Sequence, residues 1–391
     1  MSEHAPVDPE LLSHNAIQLL SELVAIDSVN PGLAPGARGE AAIVEHLRLR
    51  LAHRGWRTLV VPALGVPDRP SLLAWPGGMS AAARPVVLNG HLDTVGVDGM
   101  VAPFVPRIED TRMYGRGTCD MLGGVAALVV AAEAAGDAGA EVLLALVADE
   151  EDRSLGTEAV LDALPRLGIH PSVCLVGEPT WLGRCRSLRG YAVADVTITG
   201  RAAHTSLAHE GVNALTQAAA LVGAIEGRAH GIRKRGGELL VSVMHSGRAP
   251  FTVPDEARLT VERRTVPGED PGVLLDDIDA ALHAVRTTAG EVRAEIALTI
   301  NRPAWELDAE GPASDFADCL DAALDAEIGS PATSFEAPYW MEAALWQAAG
   351  IPSLVCGPAG GGLHAVDEWV DLDHVRAYAV ALARVLRAAA T

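Results

Sequence analysis

The chain has a single lysine, Lys234, among its 30 Lys and Arg in 391 residues. Schiff-base chemistry and a phosphate-binding P-loop both call for a lysine, and no G-x-x-x-x-G-K-[ST] occurs, so neither is expected. Cysteine is scarce as well. Cys119, Cys174, Cys185, Cys319 and Cys356 are odd in number and scattered, with no C-x-x-C. Neither a disulfide framework nor a zinc ribbon is suggested. Positive charge is outweighed by 51 Asp and Glu, for a net charge of -21. A nucleic-acid backbone or an anionic membrane would repel such a chain, so no nucleic-acid and no membrane partner is expected. The apolar stretch around Val125–Ala135 is too short to span a bilayer and is broken by Glu133. The opening "MSEHAPVDPELL" has no basic start and no apolar run, which makes a cytoplasmic enzyme the expectation.

The abundant residues describe an α/β chain. Hydrophobic residues make up 49% and glycine contributes 39 positions. Apolar runs such as "PVVLNG", "EVLLALVA", "SVCLVG" and "SLVCG" alternate with helical periods, the pattern of a doubly wound, mostly parallel sheet with helices on both faces. The pattern changes near Ser187. From there the order is strand–helix–strand–strand–helix–strand, which suits an inserted α+β (ferredoxin-like) domain with an antiparallel sheet. The expected division is 1–186 for the first catalytic segment, 187–301 for the inserted domain and 302–391 for the second catalytic segment. A helix is expected from Pro271 to Arg286 in the inserted domain.

Chemistry-bearing residues follow the apolar runs, where open α/β sheets place their ligands. "PVVLNG" leads into His91 and Asp93. "EVLLALVA" ends in four acids, Asp149, Glu150, Glu151 and Asp152. "SVCLVG" leads into Glu178, "SLVCG" leads through a glycine-rich turn to His364, and Asp120 opens a helix. Each has a plain explanation on its own, as a turn residue, a helix cap or a solvated charge. Together they gather two imidazoles and several carboxylates at one sheet edge, and the acids' mutual repulsion calls for a cation. Such donors suit two divalent ions, Zn²⁺ first, with Co²⁺ or Mn²⁺ also compatible. A paired site needs a bridging carboxylate. Asp120, lying between the two halves in chain order, is the natural bridge.

The chain resembles the M20 metallopeptidases, and within them the acetylornithine deacetylase and succinyl-diaminopimelate desuccinylase group. The resemblance rests on "GHLDTV" (Gly90–Val95), "YGRGTCDMLGG" (Tyr114–Gly124), "ADEED", "GEPT" (Gly177–Thr180), "GRAAHTSLAHEGVNAL" (Gly200–Leu215), "RRTVPGED" (Arg263–Asp270) and "CGPAGGGLHAVDEWV" (Cys356–Val370), in the family's order and across nearly the whole chain. It implies that His91 and Glu178 serve one metal, His364 and Glu151 the other, and that Asp120 bridges them. Glu150 is implied as general base and Asp93 as the residue orienting His91, with a cis peptide at Asp120–Met121. The inserted domain is implied to act as lid and dimerisation domain of a homodimer. Its His204 would polarise the scissile carbonyl, commonly across the dimer, and its Arg264 would take the substrate carboxylate. Asn213 is either a substrate contact or the cap of the following helix. Leu122, Ala208 and Glu262 depart from the family's common Lys, Pro and Asp. The stretch from Ala337 to Pro352 falls where subfamilies differ and is expected to carry specificity.

The expected reaction is metal-assisted hydrolysis of the amide bond of an N-acyl-L-amino acid. A carboxypeptidase or dipeptidase on the same scaffold is the alternative. A binding module without catalysis is the more remote one.

Overall fold

The computed structural model describes residues 8–389 apart from 81, 271, 290 and 332. The acidic stretch before Asp8 lies outside these residues, as does Pro271, where a helix was expected to open. Two compact units divide the chain. One comprises Met1–Arg186, Leu307–Glu336 and Met341–Thr391; the other comprises Ser187–Glu306 and Ala337–Trp340.

In the first unit, α1 (Pro9–Val24) and α2 (Ala41–His53) lead into β1 (Trp56–Ala63), β2 (Val66–Pro76) and β3 (Val86–His91). Then come α3 (Gly123–Asp137), β4 (Val142–Val147), α4 (Leu155–Arg166) and β5 (Val173–Val176). The second unit holds β6 (Gly190–Thr199), α5 (Ala214–Arg233), β7 (Glu238–Ser246), β8 (Glu256–Thr265), α6 (Val273–Ala289) and β9 (Arg293–Arg302). The chain returns to the first unit with α7 (Pro312–Ile328), α8 (Ala343–Ala348), β10 (Ser353–Val355) and α9 (Leu372–Ala388).

The first unit is built on a mixed sheet in the order β1-β2-β4-β3-β5-β10. The strands β4, β3, β5 and β10 are parallel, and β2 runs against both its neighbours. Continuous apolar runs become strands covered on both faces: every residue of β4 is buried. Helix α3 is apolar nearly all round because it is wrapped in the core against α1 and α9. It extends further back than Val125. The run Thr118–Asp137 has the length and composition to cross a membrane, yet 83% of its most apolar stretch is buried inside the protein, as in a core helix. The helix starts follow local chemistry. Asp8 caps α1 by accepting from the Glu10 and Leu11 amides, with Pro9 at the first helical position.

The second unit is an antiparallel sheet in the order β7-β8-β6-β9. Its apolar face, including Ala192, Ala194, Val196 and Ile198 of β6, packs on α5 and α6. The unit's main run, Ser187–Glu306, continues past residue 301, and Ala337–Trp340 joins it. After β9 the chain pairs once more, Trp305 with Leu188 and Glu306 with Ser187, and the Trp305 side chain is buried there. The stretch from Ala337 to Pro352 is divided between units. Trp340 packs edge-on against Tyr191 at 5.9 Å in the second unit, whereas Met341 onward belongs to the first.

Candidate metal centre

The carboxyl ends of β3, β4 and β5 bring His91, the acids after Ala148, and Glu178 to one edge of the first unit's sheet. His91 Nε2 lies 3.1 Å from Asp120 Oδ1 and 3.5 Å from Glu178 Oε1. The other Asp120 oxygen, Oδ2, lies 3.3 Å from His364 Nε2, which is 3.1 Å from Glu151 Oε2. One carboxylate therefore faces two imidazoles, each of which also faces a second carboxylate. Donor atoms of His91, Glu150 and Glu178 lie within 4.8 Å of one another, as do those of His91, Asp120 and Glu151. The Asp120–Met121 peptide is cis.

Two further carboxylates hold the backbone that carries these side chains. Asp93 accepts from the amides of Glu150 (3.1 Å) and Glu151 (3.2 Å) and from Asn30 Nδ2 (2.7 Å). The sequence pointed to Asp93 as the partner that orients His91. His91 Nδ1 lies 2.9 Å from the Asp93 carbonyl oxygen, and the Asp93 carboxylate is 3.7 Å away. Glu368 is the counterpart for Asp120. It accepts from the amides of Gly117, Cys119 and Asp120 at 2.9–3.1 Å and pairs with Arg116 at 2.7 Å. Neither Glu368 nor Arg116 was singled out from sequence, although both lie inside the quoted motifs. Glu342 was also missed. It is fully buried at the start of α8, and its Oε1 has no hydrogen-bond partner among the described residues.

The four acids in a row separate by environment. Glu150 and Glu151 enter the cluster. Asp152 is half-buried and pairs with Arg153 at 3.1 Å. Asp149, immediately before Glu150, is 1% exposed.

Electrostatics favour a cation. Burial drives Glu150 well above the ordinary carboxylate range; the His91 charge draws it back and the Glu178 charge raises it further. Burial likewise raises Glu178 well above that range. Burial and the Asp120 charge push Glu151 up to about 7. Asp120 itself is held low, because hydrogen bonds from His364 and His91 outweigh its burial. Hydrogen bonds to Asp120 and Glu151 push His364 up to about 10. Among the described residues no arginine or lysine pairs with Asp120, Glu150, Glu151 or Glu178. Glu151 Oε1 is buried without a hydrogen-bond partner. An orphaned buried carboxylate oxygen in a surplus of acids is what a divalent ion satisfies, so the donor set fits a metal.

In the second unit, His204 is exposed and stands at the start of a short 3₁₀ turn. Its Nδ1 accepts from the Ser206 amide at 3.2 Å, which leaves Nε2 as the nitrogen bearing the proton. Arg264 lies half-buried on the face of the sheet away from the helices, its guanidinium 5.0 Å from the Tyr191 ring centre. Asn213 is the N-cap of α5, with Oδ1 accepting from the Thr216 amide at 3.2 Å.

A mixed α/β sheet whose strand ends converge two imidazoles and four carboxylates is the scaffold of a metallohydrolase. The chain belongs to peptidase family M20/M25/M40, whose pattern matches residues 87–388. It is 30% identical over 410 residues to a succinyl-diaminopimelate desuccinylase of Cereibacter sphaeroides, covering 98% of this chain and 99% of that protein. To an acetylornithine deacetylase of Myxococcus xanthus it is 29% identical over 265 residues, 64% of this chain and 67% of that one. Among solved structures, a tripeptidase of Staphylococcus aureus shares the fold with a TM-score of 0.76 at 19% identity, covering 97% of this chain and 98% of that one. A dinuclear metal-binding M20 peptidase of Bacillus subtilis does so with a TM-score of 0.71 at 15% identity, covering 97% and 98%. The chain is a hydrolytic enzyme acting on C–N bonds.

Proposed function

We propose that this enzyme hydrolyses the amide bond of N-acyl-L-amino acids of the deacetylase or desuccinylase type, with two divalent ions. The observation that carries this reading is the Asp120 carboxylate, whose two oxygens face His91 and His364 separately. His91, Glu178 and Asp120 would hold one ion, and Asp120, Glu151 and His364 the other. Ions at these donors, Zn²⁺ first and Co²⁺ or Mn²⁺ as alternatives, would supply Lewis-acid polarisation of the carbonyl and an acidified water.

Glu150 is the general base. Its raised proton affinity suits a group that takes a proton from water near neutral pH and returns it to the leaving amine. The Asp93 carboxylate fixes the Glu150 and Glu151 amides together, so base and ligand keep their relative positions. His204, with its proton on Nε2, is suited to donate to an oxyanion. Arg264 offers a bidentate fork to the substrate carboxylate. The second unit serves as lid in a homodimer, and the enzyme works in the cytoplasm. The substrate class is supported by the names of the two curated relatives, which the chain resembles more closely in sequence than it does the solved peptidases.

Two measurements test the proposal together. A panel of N-acetyl- and N-succinyl-amino acids is expected to be turned over at least 10-fold better than dipeptides; the reverse ranking would move the enzyme to the dipeptidases. Glu150→Gln is expected to keep both metals and lose about 10³-fold or more in kcat, the scale of positioned proton transfer. Loss of one metal from that variant would make Glu150 a ligand instead of the base.

A further inference from the structure

The backbone at Asp149, immediately before the base and the ligand, has φ +69°, a left-handed conformation that non-glycine residues seldom adopt. It is held there from several sides. Asp149 Oδ1 accepts from Arg69 Nη1 at 2.9 Å and from Asn30 Nδ2 at 3.3 Å, and Oδ2 accepts from the Leu155 amide at 3.4 Å. The Asp149 amide donates to Glu40 Oε1 at 3.2 Å. Arg69 turns its other edge to Glu40, donating Nε at 2.6 Å and Nη2 through a short contact. Asn30 then passes the network on, since the same Nδ2 donates to Asp93, the carboxylate that binds the Glu150 and Glu151 amides.

Glu40, Arg69, Asp149, Asn30 and Asp93 are thus one hydrogen-bonded chain, and each is at most 6% exposed. They come from five separate places: the N-cap of α2, strand β2, the end of β4, the loop after α1 and the loop after β3. Two of the three carboxylates, Glu40 and Asp149, share the Arg69 guanidinium, and the third, Asp93, is joined to them through Asn30. Among the described residues no other arginine or lysine pairs with these carboxylates. Among the described residues Arg69 makes no hydrogen bond to a proposed metal ligand side chain or to Glu150. Its reach into the site runs through Asp149 and Asn30 only.

We propose that Arg69 is a positioning residue for the metal centre: its fork locks Glu40 and Asp149 together, fixes the left-handed turn at Asp149, and so sets where Glu150 and Glu151 stand relative to Asp93. Packing alone would make Arg69 a contributor to stability. The wiring predicts more, because the two amides on Asp93 belong to the base and to a ligand. A lysine at 69 keeps the charge, but a single ammonium cannot fork onto Glu40 and reach Asp149 in the same geometry.

The inference rests on the metallohydrolase reading above, and the experiment separates the two. Zn²⁺ affinity is measured by chelator competition, alongside kcat and KM on the best substrate of the acyl-amino-acid panel, for the wild type, Arg69→Lys, Glu40→Gln and Arg50→Lys. Arg50 is the control. It makes a forked ion pair with the buried Glu133 in the same unit, and among the described residues neither hydrogen-bonds to the site's side chains. Arg69→Lys is expected to lose about 10- to 100-fold in Zn²⁺ affinity or kcat, the range for partners that orient metal ligands, with KM nearly unchanged. Glu40→Gln, isosteric and one step further away, is expected at about the lower end of that range, and it carries the test should Arg69→Lys not fold. Arg50→Lys is expected to lower thermal stability while leaving Zn²⁺ affinity unaltered. Wild-type Zn²⁺ affinity and kcat in folded Arg69→Lys or Glu40→Gln would overturn the positioning role and leave the metallohydrolase reading standing. Equal losses in Arg50→Lys would overturn it too, by reducing the effect to general stability. A wild-type chain that bound none of Zn²⁺, Co²⁺ and Mn²⁺ would overturn both.

Discussion

Glu342 shows how a single buried acid can act on stability. Burial pushes it up to about 7 from the ordinary 4.5, with Thr157 and Ser154 offsetting part of the effect. A folded-state pKa raised above the unfolded one means that the fold favours the protonated form. That preference is fully expressed below about 4.5 and is lost as pH rises through about 7. The neutral isostere Glu342→Gln should therefore match the wild type near pH 4.5 and become the more stable protein by about 3 kcal/mol above pH 7 in metal-free samples. Denaturant midpoints across that pH range would show it; a gap independent of pH would not fit. Glu342 was not legible in the sequence, because an acid beside alanines at a helix start reads as a cap. The residues that were legible, His91, Glu150, Glu151, Glu178 and His364, share a local signature: each follows an apolar run or a glycine-rich turn. Asp93 was found beside His91, but nothing local shows that its carboxylate also serves amides 57 and 58 residues away.

Among the elements, α3 and the strands beside it depend on close backbone approach. A Cβ on Gly124 would sit 2.1 Å from the Gly177 carbonyl oxygen, and Gly177 immediately precedes Glu178. Gly124→Ala must push the helix off the end of β5. Overpacking of this kind costs about 1–3 kcal/mol. The variant should unfold at lower temperature and also bind Zn²⁺ more weakly, because the displaced carbonyl belongs to the strand end that presents Glu178, a proposed ligand. Calorimetry of the metal-free variant separates the two effects, and a variant that loses stability with intact affinity would show that the strand end absorbs the shift. The elements themselves were largely legible. Buried parallel strands announce themselves as uninterrupted apolar runs, and the inserted unit by its strand–helix order. What the sequence concealed was pairing over long separations. Glu368 reaches the Asp120 amide across 248 residues and Arg69 reaches Asp149 across 80. The boundary at Glu306 was hidden for the same reason, since it depends on Trp305 returning to pair with Leu188.

For the whole molecule, metal content and stability are linked. An ion that binds only the folded chain adds about 4 kcal/mol when present at a thousand times its dissociation constant. Dialysis against a chelator should accordingly lower the melting temperature, and returning Zn²⁺ should restore it; a melting temperature indifferent to both would argue against a site formed by the fold. Part of that energy is drawn from relief of repulsion, since the chain already carries a net charge of -21 and concentrates four of its acids at one sheet edge. The same crowding has a consequence for how the ion arrives. With Glu151 at about 7 and His364 at about 10, the metal-free site is partly filled with protons at neutral pH. Loading is then an exchange, and protons leave as the ion enters. Affinity should climb between pH 6 and pH 8, and the heat of titration should differ between buffers of high and low ionisation enthalpy. In effect the site competes with the acidity of its surroundings for its own occupant.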